Sequence, residues 1–145
     1  MKESGGRNQG TVNKKINSIL LSIFLFGCST YQPMKIFEIS KSFPPEERFA
    51  LTSQIRRSSR SVSMNLREAW AKRRYEAHFI SKLTDCDGEN SETETSLNFA
   101  KDCKYITINE HNELSAISQE VGRMLESMIL KPQGFLLSCP LSPDS

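Results

Sequence analysis

From Leu51 to Met128 the apolar side chains recur every third or fourth residue, through three long segments in succession. Leu51, Ile55, Val62, Leu66 and Ala69 form one stripe. Phe79, Leu83, Cys86, Leu97 and Ala100 form a second, interrupted by Asn90 and Thr93, and Leu114, Ile117, Val121, Met124, Leu125 and Met128 form a third. Such spacing places each set on one face of an α-helix. Nowhere does polarity alternate residue by residue as a half-buried strand requires, and no internal repeat occurs. Helices with a single apolar stripe bury it against one another. The predicted fold is therefore all-α, an up-and-down antiparallel four-helix bundle, with the segment before Phe43 supplying the remaining helix. The second stripe is only weakly apolar, so its neighbours must supply much of the burial.

The breaks between stripes are local and chemical. Phe43-Pro44-Pro45-Glu46-Glu47 stops one helix and starts the next, because Pro45 suits a first turn and glutamates favour a helix N-terminus. Helix two is predicted from there to about Lys72, and helix three from about Arg74 to Cys103. Thr107-Ile108-Asn109-Glu110 has the form of a capping box and opens helix four, which Lys131-Pro132 ends. Gly88 falls inside helix three, where it costs ~1 kcal/mol relative to alanine. Its presence there predicts a close approach between helices. Residues 31–135 form the bundle domain, and residues 136–145, with two prolines and no period, form a disordered tail.

Residues 1–30 read differently: a polar leader, then an apolar signal-like segment. Lys14-Lys15 precedes the apolar run Ile16 to Phe26, and Gly27-Cys28 follows. A positive start, a short apolar stretch and a small residue before a cysteine make a signal-peptide pattern. It is similar to the lipobox of bacterial lipoproteins, in which the cysteine carries the lipid. The run is too short for a comfortable membrane span. Either the chain is a membrane-tethered lipoprotein anchored at Cys28, with a stunted first helix over Met34 to Ser42, or the first helix starts near Lys14 and is broken around Gly27 to Pro33. In both cases the first helix is disrupted.

Charge is distributed in blocks. Nineteen basic against 17 acidic residues leave a formal charge of +2. Glu46 to Arg74 carries eight basic and three acidic residues (8 − 3 = +5), whereas Tyr75 to Cys103 carries two basic and seven acidic (2 − 7 = −5). Complementary blocks on successive helices predict pairing between them. On helix two Arg56, Arg60, Arg67 and Arg74 fall within ~40° of one another, flanking the apolar stripe. On helix three Asp85, Glu89 and Glu92 share a flank. With a fold-back near Arg73, Arg60 would face Asp85 and Glu89, and Arg56 would lie near Glu92, as an inter-helix ion-pair ladder. The other reading is a phosphate-contacting surface of Arg56, Arg57, Arg60, Arg67, Lys72, Arg73 and Arg74. Arg57, Lys72 and Arg73 lie off the paired flank, so both can hold. Trp70 and Tyr75, near the turn, are either core or a platform for a base.

Other chemistry is excluded by spacing. Asp85-Cys86-Asp87-Gly88-Glu89 is no calcium loop, because its glycine stands at the fourth position and Ser96 occupies the twelfth. His78 and His111 have no second ligand four residues away, so no metal site is expected. No phosphate-binding glycine loop and no nucleophile beside a base occur, so neither an enzyme, a cofactor nor a small-molecule substrate is expected. Cys28, Cys86, Cys103 and Cys139 form no C-x-x-C pair. Cys86 and Cys103 on one helix are ~25 Å apart, beyond disulfide reach. A reducing, cytoplasmic setting fits.

The stretch from Phe43 through Arg56-Arg57-Ser58-Ser59-Arg60-Ser61-Val62 closely resembles the signature of the 23S rRNA intervening-sequence proteins, a bacterial four-helix bundle family. The similarity continues through Asn65 to Ala69, Lys72 to Ala77 and Leu83 to Glu94, and spans roughly Met34 to Phe135. Lys14 to Cys28 and the tail after Phe135 depart from the pattern. The resemblance implies a homopentamer of up-and-down bundles whose biochemical role is not established. With the basic helix two, it leads us to expect an RNA- or DNA-associated scaffold. A protein-only oligomerisation or adaptor module is the alternative.

Overall fold

The computed structural model describes residues 26–137. Four helices account for most of them: α1 over residues 26–40, α2 Leu51–Ala71, α3 Glu76–Asp102 and α4 Ile108–Leu130. Short 3-10 turns, Pro45–Glu47 and Pro132–Gly134, precede α2 and follow α4. The helices run up and down around a square. α2 packs on α3 and α3 on α4, while α1 touches α2 through Ser29 and Ser63 and α4 through Gln32 and Ser118. The three sequence stripes are the buried faces, with Ile117 half-buried. α2 starts at Leu51, later than Pro45. The Pro-Pro pair holds a 3-10 turn, and Glu47 then reaches forward to accept a hydrogen bond from Leu51 N at 3.1 Å.

α1 runs unbroken through Gly27 to Pro33, contrary to the expected interruption. Pro33 has no N–H to give, which leaves the Ser29 carbonyl without a helical partner. The Ser63 hydroxyl on α2 donates to that carbonyl, so the defect is repaired from outside the helix. Ser29, Gln32, Pro33, Ile36 and Ser40 face inward. This face has helical spacing but is mostly polar, which is why hydropathy does not reveal it. Residues 1–25, with the polar leader and most of the signal-like run, lie outside the described residues, as do residues 138–145 of the expected tail. Leu136 and Leu137, expected as loose tail, are docked: Leu136 packs on the core, and Leu137 N donates to Arg73 O at 3.2 Å. Among the described residues no helix is long and apolar enough to cross a membrane.

The core is two apolar clusters with a polar layer between them. One holds Leu66, Phe79, Leu83, Leu125 and Met128, near the α2–α3 turn. The other holds Ile36, Ile55, Leu97, Ile106 and Leu114, near the α3–α4 turn. Between them all four helices contribute buried polar groups. Gln32 Nε2 donates to Leu114 O (3.0 Å) and Ser118 Oγ (2.6 Å). Asn90 Nδ2 donates to Ser118 O (2.8 Å), and Thr93 Oγ1 donates to Ser58 Oγ (3.0 Å). Buried polar groups are tolerable when bonded in this way. Gly88 is not the expected close approach: it faces outward, and a Cβ there would meet nothing within 4 Å. At Gly122 a Cβ would lie 3.5 Å from Asn90 Nδ2, an ordinary van der Waals contact.

The α3–α4 turn is a Schellman motif. Tyr105 N donates to Ala100 O (2.8 Å) and Lys104 N to Lys101 O (2.9 Å). The left-handed position, normally glycine, is Lys104 with φ 61°. The capping box of α4 follows, with Glu110 N to Thr107 Oγ1 (3.1 Å) and Thr107 N to Glu110 Oε2 (2.8 Å) both formed. Lys104→Gly is expected to raise stability by about 0.5–1 kcal/mol, because relief of left-handed strain exceeds the added unfolded-state freedom. The midpoint of urea unfolding, read by circular dichroism, checks this.

Candidate nucleic-acid interface

α2 has two flanks, one toward α1 and one toward α3, and its arginines divide between them. Arg56, Arg60 and Arg67 lie on the α1 side. Arg56 and Arg60 stand over the ring of Phe37, at 4.8 and 5.7 Å from its centroid, and Lys41 approaches the same ring at 4.8 Å. Arg56 Nε also donates to Ser40 Oγ at 2.7 Å. Arg67 stands over Phe26 at 5.0 Å. The rings hold the guanidinium planes by cation–π attraction. None of these three arginines pairs with a carboxylate among the described residues.

The ion-pair ladder forms with different members than expected. Arg57, placed off the paired flank, is the arginine that pairs, with Glu89 at 3.4 Å and Glu92 at 2.5 Å. The Glu92 hydrogen bond first, and the Glu89 charge second, push its pKa up. Arg56 and Arg60 pair with none of Asp85, Glu89 and Glu92, because α1 rather than α3 lies on their side of the stripe. Asp85 instead meets Lys82 at 3.5 Å, and Lys82 bridges α3 to Glu68 of α2 at 3.0 Å.

At the α2–α3 turn Arg73 is used internally. Its guanidinium lies 3.8 Å from the centroid of Trp70, and Nε donates to Trp70 O at 2.8 Å. Burial pushes its pKa down. Trp70 packs on the core and meets Phe26 edge-on at 5.9 Å, so it is no open platform. Lys72, Arg74 and Tyr75 are exposed. Of the seven proposed basic contacts, Arg56, Arg60 and Arg67 therefore share one face and make no ion pair with a carboxylate among the described residues. Arg57 and Arg73 are engaged elsewhere, and Lys72 and Arg74 stand at the end of the bundle.

Residues outside the sequence-derived set complete this surface. Phe37 and Phe26 on α1 orient the arginines. Arg48 and Phe49, in the turn before α2, extend the surface past the helix start. A groove of about 510 Å³ along the outside of α2 is lined by Arg48, Phe49, Arg56, Arg57 and Arg60 and by no acidic residue. A signal was present: Arg48-Phe49 follows the Pro-Pro break and belongs to no apolar stripe.

Cys28 lies within α1, half-buried against the core, and burial followed by the Glu120 charge raises its pKa. Lipidation at that residue would require cleavage after Gly27, which removes Phe26 and its contacts with Trp70 and Arg67. Cys86 is buried, with Sγ 3.2 Å from Val62 O, and burial pushes its pKa up to about 12. Cys103 is exposed. A thiol reagent at neutral pH is expected to modify Cys103 rapidly and Cys86 only on unfolding, read by peptide mass spectrometry. Because the unfolded Cys86 thiol ionises near its ordinary value of 9.0 and the folded one not until about 12, its contribution to stability is intact below pH 9 and is lost as pH rises through that interval.

Residues 29–127 match the family model described as 23S rRNA-intervening sequence protein. The match covers α1 from Ser29 onward, α2, α3 and most of α4. The chain is also similar to the crystal structure of a protein of unknown function from the S23 ribosomal protein family of Bacteroides thetaiotaomicron VPI-5482. The TM-score is 0.69 at 28% sequence identity, over 77% of this chain and 99% of that one. No curated protein matches it.

Proposed function

Because this chain belongs to the 23S rRNA-intervening sequence protein family, we propose that it is a cytoplasmic, non-enzymatic bundle that self-associates and binds RNA through the α1/α2 face. The observation that carries the reading is the set of Arg56, Arg60 and Arg67, spread over ~16 Å of α2, held over aromatic rings and lacking carboxylate partners among the described residues. Like charges gathered in this way repel, and a polyanion relieves the repulsion while releasing its counterions. The family's association with 23S rRNA intervening sequences supports RNA as that polyanion. Self-association is supported by the apolar side chains outside the core, with Met34, Phe99, Ile108 and Leu130 all exposed. Five protomers is the number that the family resemblance implies.

The test uses the full chain and a fluorescent oligouridine. Binding followed by anisotropy over a salt series is expected to weaken with a log–log slope of about −2, at ~0.7 per phosphate contact on a single strand. A flat slope, or no binding at low salt, would reject RNA binding and leave the protein-only adaptor. Light scattering on the same samples is expected to give about five chain masses. A monomer would reject the self-association.

A further inference from the structure

The α2 groove ends on a side chain that phosphate binding alone does not use. Phe49 is 89% exposed. It sits in the turn between the Pro45–Glu47 3-10 turn and α2, with Arg48 over its ring at 5.3 Å. A phenyl ring left in water forgoes a burial worth about 1.5–3 kcal/mol, whereas Phe43, six residues earlier, is buried, its ring centroid 5.5 Å from that of Tyr105. The other exposed apolar side chain of the groove is Met64. It lies fifteen residues from Phe49, on the order of 20 Å along the helix, with arginines and serines between. The groove therefore has no continuous apolar centre of the kind a protein interface buries. It offers a solitary aromatic ring beside a row of cations, and this combination matches unpaired nucleic acid, whose bases present free π-faces while its backbone presents phosphates. A duplex keeps those faces stacked inside.

We propose that Phe49 and Arg48 form a stacking site for an unpaired base, so that this surface selects single-stranded over double-stranded RNA. The strand enters at the start of α2, where one base lies on the Phe49 ring. Its following phosphates run along the helix toward Arg56 and Arg60. The inference rests on the RNA-binding reading and adds the strandedness of the ligand.

Wild-type, Phe49→Ala and Arg56→Ala/Arg60→Ala/Arg67→Ala chains are compared on an oligouridine and on a perfectly paired RNA of equal charge. Phe49 is surface-exposed, and an unchanged melting curve confirms that its variant folds. Wild type is expected to prefer the single strand. Phe49→Ala should weaken single-strand binding about tenfold, the scale of one lost base–aromatic stack, with duplex binding and the salt slope unchanged. Fluorescence of a 2-aminopurine placed in the strand should be quenched by wild type and not by Phe49→Ala. Equal affinity of Phe49→Ala and wild type for the single strand overturns the stacking site. If the triple variant still loses affinity in that case, the phosphate reading stands without it. If no chain binds either RNA, both fall. A change of oligomer mass in Phe49→Ala with unchanged RNA affinity also overturns the inference, because Phe49 would then be an assembly contact.

Discussion

A chain with alanine at Arg56, Arg60 and Arg67 is expected to bind oligouridine on the order of 100- to 1,000-fold more weakly at low salt than wild type. Each arginine contributes a charge-assisted contact of roughly 1–1.5 kcal/mol, the low end for exposed groups. The salt slope should become shallower by about 2, since three phosphate contacts at ~0.7 each are lost. The variant also forfeits the stacking on Phe37 and Phe26, at about 0.5–1 kcal/mol per exposed cation–π pair, so affinities are compared only where melting curves show the fold intact. Lysine at the same three positions separates charge from shape. It restores the salt slope but not the planar, bidentate donor that arginine offers a phosphate. Unchanged affinity in the alanine variant would remove these residues from the interface.

Phe79→Ala is expected to destabilise the chain by about 3–5 kcal/mol. Phe79 is fully buried in the first turn of α3, among Leu66, Leu83, Leu125 and Met128. Truncation removes the ring's burial and leaves a cavity that three helices cannot close without moving together. Against a typical total of about 5–15 kcal/mol, the urea midpoint should fall by a large fraction while the slope of the transition holds. Phe99 provides the control. It lies on the same helix but is exposed, and its alanine variant should stay within about 0.5 kcal/mol of wild type. Equal losses at the two positions would contradict the assigned faces of α3.

The contrast between Phe79 and Phe99 was legible in the sequence, because it depends only on phase within one helix. The same holds for the stripes of α2 to α4 and the Thr107–Glu110 capping box. α1 was not legible. Its inward face is Ser29, Gln32, Pro33, Ile36 and Ser40, and a mostly polar face gives no hydropathy period. What makes it a buried face is bonding to Leu114, Ser118 and Ser63 on other helices. The sequence places Asn90 and Thr93 on the core face of α3, but their partners Ser118 and Ser58 come from chain segments 28 and 35 residues away.

The candidate site divides along the same line. That helix two carries an arginine-rich flank follows from residue spacing. Which arginines are free does not, because a stripe identifies the side facing the core and leaves open whether α1 or α3 stands to its left or right. That choice is the hand of the bundle, decided by how all four helices pack. It put α3 beside Arg57 and α1 beside Arg56, Arg60 and Arg67. By itself the sequence determined the helices and their buried faces, through local periodicity and capping. The tertiary structure alone decided which charges are neutralised, since an ion pair between helices depends on their arrangement around the axis as well as on residue order.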